Sequence, residues 1–253
     1  MRKLSFSVEI HDTRAAMGKA AGERAEALLL AMLQQKEELR LIAASAPSQN
    51  EVLAYLVQSK RIDWSRITAF HMDEYIGLPA DAPQNFGNWL KERFFGKLPF
   101  KDVHYLRGDA DEITECKRYA ALLKAAPIDM LLCGIGENGH IAFNDPPVAD
   151  FADPHRVRVI NLDEVSRMQQ VHDGCFATLD AVPKTAFTLT IPILLSAAAV
   201  VCTAPGASKT AAATSMINGP IETACPASIL RQHPCCHVFL DAESGPSPIL
   251  ARL

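Results

Sequence analysis

The stretch Ile128-Asp129-Met130-Leu131-Leu132-Cys133-Gly134-Ile135-Gly136-Glu137-Asn138-Gly139-His140-Ile141-Ala142-Phe143-Asn144-Asp145-Pro146 sets an apolar run directly before three glycines, a histidine and a carboxylate. The run reads as a buried strand, and a glycine turn at its end lets backbone and ligand approach closely. Gly134, Gly136 and Gly139 also satisfy G-x-G-x-x-G, the dinucleotide-binding fingerprint. In such a site the third glycine lies in the first turn of a helix that continues for several turns and holds a pyrophosphate on its N-terminal amides. Here Pro146 and Pro147 follow closely. Proline forces the preceding residue toward extended backbone and ends helices, so at most about one turn of helix fits between Gly139 and Asn144. The stretch therefore reads as a loop that presents His140 and Asp145, not as a nucleotide cradle.

Outward from this loop, short apolar runs recur at Leu39–Ala44, Ile67–Met72, Val157–Leu162, Ala186–Ile191, Ala198–Thr203 and His237–Leu240. Helix-like segments separate several of them: Thr13–Lys36 is rich in alanine, leucine and glutamate, Asn50–Ser59 has apolar residues at three- and four-residue spacing, and Asp111–Ala126 opens with acids and stops before Pro127. This alternation predicts an α/β fold with a mostly parallel sheet covered on both faces. No repeat or low-complexity linker interrupts it, and one domain over residues 1–253 is expected.

Composition narrows the function classes. The chain has 253 residues, 49% of them hydrophobic and 21% charged, which is ordinary globular composition. A net charge of −4 with dispersed lysines and arginines leaves no basic patch for nucleic acid or a membrane surface, so a small-molecule partner is favoured. The segment Met1–Ile10 turns polar at His11-Asp12 before a signal-peptide core develops, and Ile191–Ala204 contains Pro192 and falls short of a bilayer span. A cytoplasmic location is expected. The seven cysteines are odd in number and form no C-x-x-C pair, which argues against a disulfide framework or a structural zinc site. His104, His155, His172, His233 and His237 fall in no metal-ligand spacing, so no catalytic metal is expected.

In open sheets of this type ligands bind beyond the carboxyl ends of the strands. The residues there are Ala43-Ala44-Ser45-Ala46-Pro47-Ser48-Gln49, His71-Met72-Asp73-Glu74-Tyr75, the glycine loop, and Pro205-Gly206-Ala207-Ser208-Lys209. Each has a plain structural alternative. Asp73 can cap a helix or sit in a solvated turn, His140 can be a satisfied structural histidine, and Asp145 can accept turn amides before the prolines. Lys209 and Ser45 taken singly read as a solvated helix residue and a turn residue. Their joint placement after strands favours function, with Lys209 on a turn entering a helix, where a phosphate docks.

Phe70-His71-Met72-Asp73-Glu74-Tyr75-Ile76-Gly77-Leu78-Pro79 resembles the M-D-E-Y-x-G-L motif of the glucosamine-6-phosphate deaminases, also called isomerases. The glycine loop is similar to that family's G-x-G-x-[DN]-G-H-I-[AG]-F-N-E-P signature. The resemblance spans nearly the whole chain in order and spacing. It implies a three-layer Rossmann-like sandwich related to the ribose-5-phosphate isomerase/transferase-like fold, an amino sugar phosphate as substrate, and no cofactor. It also implies that Asp73 is the base of the enolisation step and His140 the group that opens the sugar ring. Asp145 would orient the histidine, with Asn138 a further polar member of that cluster; Ser45, Gly136, Gly139 and Lys209 would bind the substrate and its phosphate.

The chain departs from the family pattern in three places. Asn138 and Asp145 stand where many members have aspartate and glutamate, removing one negative charge and one methylene. The first loop lacks the T-G-G-[ST]-P glycines, and the family's arginine after Asp163-Glu164 has Arg167 as its nearest candidate. The alternatives left open are a deaminase for galactosamine 6-phosphate or another amino sugar phosphate, a 6-phosphogluconolactonase on the same fold, and a sugar-phosphate sensor without turnover. A homo-oligomer is also left open, because oligomeric state varies among such proteins.

Overall fold

The computed structural model describes residues 5–246. Residues 1–4 of the N-terminal stretch read above, and 247–253, lie outside the described residues. In chain order the elements are β1 (Ser5–His11), α1 (Arg14–Leu33), β2 (Leu39–Ala43), α2 (Asn50–Gln58), β3 (Ile67–His71), β4 (Asp73–Tyr75), α3 (Phe86–Arg93), β5 (Asp102–His104) and α4 (Glu112–Lys124). They continue with β6 (Met130–Cys133), β7 (Val157–Asn161), α5 (Glu164–His172), β8 (Thr185–Leu189), α6 (Ile191–Leu194), β9 (Ala199–Thr203), α7 (Thr210–Asn218) and β10 (Cys235–Asp241).

Seven strands form one parallel sheet in the order β1-β10-β9-β6-β2-β3-β5. Side chains alternate across a strand, and here both faces are apolar. Ile42, Phe70, Leu131 and Val200 point into a core shared with Tyr119 and Leu123 of α4 and Met216 of α7. Their neighbours Leu41, Ala69, Met130, Leu132 and Val201 point into the opposite core, with Leu29 of α1, Leu53 of α2 and Leu90 of α3. The result is a three-layer α/β sandwich, as the alternation of runs and helices predicts. The long helices begin where cap chemistry allows: Thr13 accepts the Ala16 amide at 3.1 Å and Asp111 accepts that of Thr114 at 2.9 Å.

Two of the apolar runs are placed differently from the expectation. β7 and β8 are not in the parallel sheet; they pair antiparallel with each other, and β8 pairs antiparallel with β4, in a separate three-stranded sheet. A short apolar run does not encode its partner, and the partly exposed face of β7 is the only local sign that it leaves the central layer. β1, β4 and β5 have no counterpart among the expected strands. β1 is a half-buried edge strand whose polar Ser5, Ser7, Glu9 and His11 break up any apolar run, and three-residue strands are too short to show periodicity.

Candidate active site

The site lies where the direction of strand order reverses. From β6 the sheet grows through β2 and β3 on one side and through β9 on the other, so four adjacent strands end side by side. The segment after each lines one cavity of about 210 Å³: Ala44–Ser48 after β2, Met72-Asp73 after β3, Gly134–Gly136 and His140 after β6, and Pro205-Gly206 with Ser208-Lys209 after β9. Arg14, Phe86, Ala142, Phe143 and, from α5 and just beyond it, Gln169, Gln170 and Asp173 complete the wall.

Asp73 neither caps a helix nor sits in a solvated turn. It opens β4, opposite Thr188 of β8, and is only 7% exposed. Burial, with Glu74 beside it, pushes its carboxyl well above the usual range. Glu74 points away and is consumed structurally. One of its oxygens accepts the amides of Tyr75 and Phe86, both at 2.9 Å, and the other that of Gly87 at 2.8 Å, so it fastens the first turn of α3. Burial still pushes the Glu74 carboxyl up to about 7 against those three amides.

His140 is held from behind. Three oxygens surround its Nδ1: Asn138 Oδ1 at 2.8 Å, Ser166 Oγ at 2.9 Å and Asp145 Oδ1 at 3.0 Å. Two of these are obligate acceptors, so Nδ1 carries a proton, and in the neutral imidazole the lone pair is on Nε2. Asp145 is buried; desolvation opposes its charge, but His140, Asn138 and Ser166 outweigh it and hold the carboxyl below its ordinary value. Asn138 donates its amide to Asp145 at 2.9 Å, and Ser166 donates its hydroxyl to the same oxygen.

The glycines shape this holder. A Cβ on Gly136 would stand 2.1 to 2.4 Å from His140 ring atoms, so only glycine lets the ring lie against the loop. Gly139 turns the chain at φ +82°, which favours glycine, and packs on Cys225. Gly136 therefore lies on the cavity wall, whereas Gly139, Asn138 and Asp145 sit behind it.

Lys209 is buried on the cavity wall, its Nζ without a hydrogen-bond partner, and desolvation lowers its pKa. A buried ammonium left this way favours an anion. Ser45 is also on the wall, with its hydroxyl donating to the Phe86 carbonyl at 3.0 Å. Arg167 is directed elsewhere, to the carbonyls of Leu179 at 2.7 Å and Val182 at 3.0 Å. Among the described residues no group of three or more His, Cys, Asp or Glu is placed to hold a metal ion.

Sequence reasoning missed Ser166, Gln169, Gln170 and Arg14. A signal for the first three existed. Ser166, Gln169, Gln170 and Asp173 follow an i, i+3, i+4, i+7 pattern, and the buried face of α5 consists of Ser166, Gln169 and Gln170. A helix that buries only polar side chains points to a site, because such groups are buried when they have partners. Arg14 carried no signal; it reaches the cavity from the start of α1, held by Glu51 at 2.8 Å.

A cavity lined by titratable side chains at the switch point of an open parallel sheet is the arrangement of an α/β enzyme. The chain belongs to the family of glucosamine-6-phosphate isomerases and 6-phosphogluconolactonases, whose model matches residues 12–238. It is 34% identical over 230 residues to a glucosamine-6-phosphate deaminase of Bacillus thuringiensis (strain Al Hakam), covering 89% of this chain and 86% of the relative. Among solved structures it resembles a monomeric glucosamine-6-phosphate deaminase with a TM-score of 0.85 and 28% identity, covering 94% of this chain and 98% of the other. A 6-phosphogluconolactonase from Thermotoga maritima shares the fold with a TM-score of 0.77 at 18% identity, covering 94% of this chain and all of the other.

Proposed function

We propose that this protein converts glucosamine 6-phosphate and water to fructose 6-phosphate and ammonia. The observation that carries the reading is the meeting, in one cavity, of a buried Asp73, a His140 fixed with Nε2 open, and a buried, unpartnered Lys209. The deaminase relatives, at 34% and 28% identity against 18% for the lactonase, support the same choice.

Each group has a task suited to its chemistry. The aldehyde of the cyclic sugar is masked, and opening the ring moves a proton from the C1 hydroxyl to the ring oxygen. His140 Nε2 takes the first and returns it to the second. The carbonyl then acidifies the hydrogen at C2, and Asp73 carries that proton from C2 to C1. Water adds to the resulting C2 imine, and ammonia leaves as the ketone forms. Lys209 holds the phosphate with the turn entering α7, and Ser45 adds a wall near the same end. Asn138 and Asp145 work behind the imidazole, and Gly136 and Gly139 set its position. No step calls for a cofactor. A cytoplasmic setting accords with seven cysteines that are all free.

The test is a panel of glucosamine 6-phosphate, galactosamine 6-phosphate and 6-phosphogluconolactone given to the purified protein. Ammonia and fructose 6-phosphate should appear in equal amounts from the first, with exchange of the C2 hydrogen into solvent. Lactone hydrolysis without ammonia from either sugar would assign the lactonase instead. Ligand binding with neither product would assign a sensor.

A further inference from the structure

Ser166 is the one member of the His140 cluster that comes from outside the glycine loop. It sits on α5, which Asp163 caps by accepting the Val165 amide at 2.9 Å, and it is 1% exposed. Its hydroxyl touches two partners at once, His140 Nδ1 at 2.9 Å and Asp145 Oδ1. A hydroxyl has one proton and two lone pairs. Asp145 is held ionised, so the hydroxyl proton goes to the carboxylate and a lone pair faces the Nδ1 proton. Asn138 makes the parallel link: its carbonyl oxygen faces Nδ1 and its amide donates to Asp145 Oδ1.

We propose that Ser166 is a positioning residue for the ring-opening histidine: through the chain Nδ1–H to Oγ–H to Oδ1 its hydroxyl ties the Asp145 carboxylate to the ring, beside the direct 3.0 Å contact of the same oxygen with Nδ1. The proposal deepens the function above and rests on it for the role of His140. No proton passes along the chain. When Nε2 accepts the substrate proton, Nδ1 keeps its own, the hydroxyl keeps its own, and the dipole of the hydroxyl is already oriented toward the new positive charge. Asn138 carries no charge, so Asp145 is the only anion among these partners, and two neutral groups that donate to its Oδ1 hold it against the ring. Ser166 and Gln169 also seat α5 on the loop, since Gln169 accepts the Glu137 amide at 3.0 Å. The same helix face presents Gln169 and Gln170 to the cavity, so part of the histidine's holder and part of the cavity wall share one helix.

The experiment compares wild type with Ser166→Ala and Ser166→Thr in two readouts. The first needs no substrate: the Nδ1 proton resonance of His140 in the ¹⁵N-labelled protein. It should move upfield or broaden in the alanine variant and return in the threonine variant, which restores the hydroxyl. The second is turnover of glucosamine 6-phosphate. Loss of one hydrogen bond to a charged group should lower kcat about 10- to 100-fold. KM should stay within about threefold, since binding contacts are kept. In an Asp145→Asn background the alanine substitution should cost much less, because the chain is already broken. A resonance unchanged in folded Ser166→Ala overturns the proposal, as do kcat losses that multiply fully with those of Asp145→Asn. If the alanine variant does not fold, the near-isosteric Ser166→Cys carries the resonance test with the same expected direction. Absence of ammonia from wild type would overturn the function and leave the resonance to decide the positioning.

Discussion

Burial and the neighbouring Glu74 raise the Asp73 carboxyl well above its usual range, which makes it, once ionised, a stronger base than an exposed aspartate. The raised value has a stability consequence of definite sign. Its proton favours the folded state fully below the ordinary carboxylate value of 3.8, and that contribution is lost as pH rises through the folded value. Asp73→Asn, which mimics the neutral form, should therefore melt higher than wild type at pH above neutrality, with the gap closing in acid. The same variant should lose about 10³-fold in kcat and all C2 hydrogen exchange while still binding substrate. The acid limb of wild-type kcat/KM should lie above the ordinary carboxylate range; a limb near about pH 4 would remove Asp73 from the role. At Lys209, replacement by methionine should raise KM about 10- to 100-fold with kcat nearly unchanged, read with phosphorylated against unphosphorylated glucosamine.

The glycine loop and α5 act as two halves of one holder. The loop makes no helix: it turns at Gly139 and at Ala142, with φ of +82° and +51°, and closes on itself through a bridge between Ile141 and Asn144. Ala142 in the left-handed region is uncommon backbone for a residue with a Cβ, and it lies on the cavity wall. The tightest point is Gly136 against the His140 ring. Gly136→Ala should leave the far-UV circular dichroism intact and lower kcat by more than about 10²-fold, because the ring must move and general acid–base transfer depends on its position. Normal turnover in that variant would mean that His140 does not need its observed place.

Asp73 stands at the junction of the two sheets. β3 ends the parallel sheet at His71, β4 begins the antiparallel sheet at Asp73, and only Met72 lies between. The glycine loop is fastened to the antiparallel sheet as well. Asn144 donates to the carbonyls of Ile141 at 2.9 Å and Leu189 at 2.8 Å, and Thr188 Oγ1 accepts the Phe143 amide at 3.1 Å. The apolar patch formed by Tyr75, Phe86, Phe143 and Phe176 fills the space behind this wall. Asn144→Ala removes two buried side-chain hydrogen bonds and should cost about 1 to 3 kcal/mol in urea unfolding. Its kcat should fall even where the protein is fully folded, since the loop loses its anchor to the second sheet.

Local chemistry was readable in the chain itself. Apolar runs mark strands because burial on both faces needs continuous hydrophobicity, and Pro146-Pro147 exclude a nucleotide helix because proline lacks an amide hydrogen and fixes φ. Asp73, His140 and Lys209 were therefore found by their places after strands. The tertiary structure decided the rest: that β7 and β8 leave the parallel sheet, that Ser166 stands behind His140, that Arg167 points away, and that burial raises the Asp73 carboxyl above its ordinary range. Turn and strand preferences act between neighbours in sequence, whereas sheet partners, burial and the protonation they impose are sums over contacts between residues far apart along the chain, which no local pattern records.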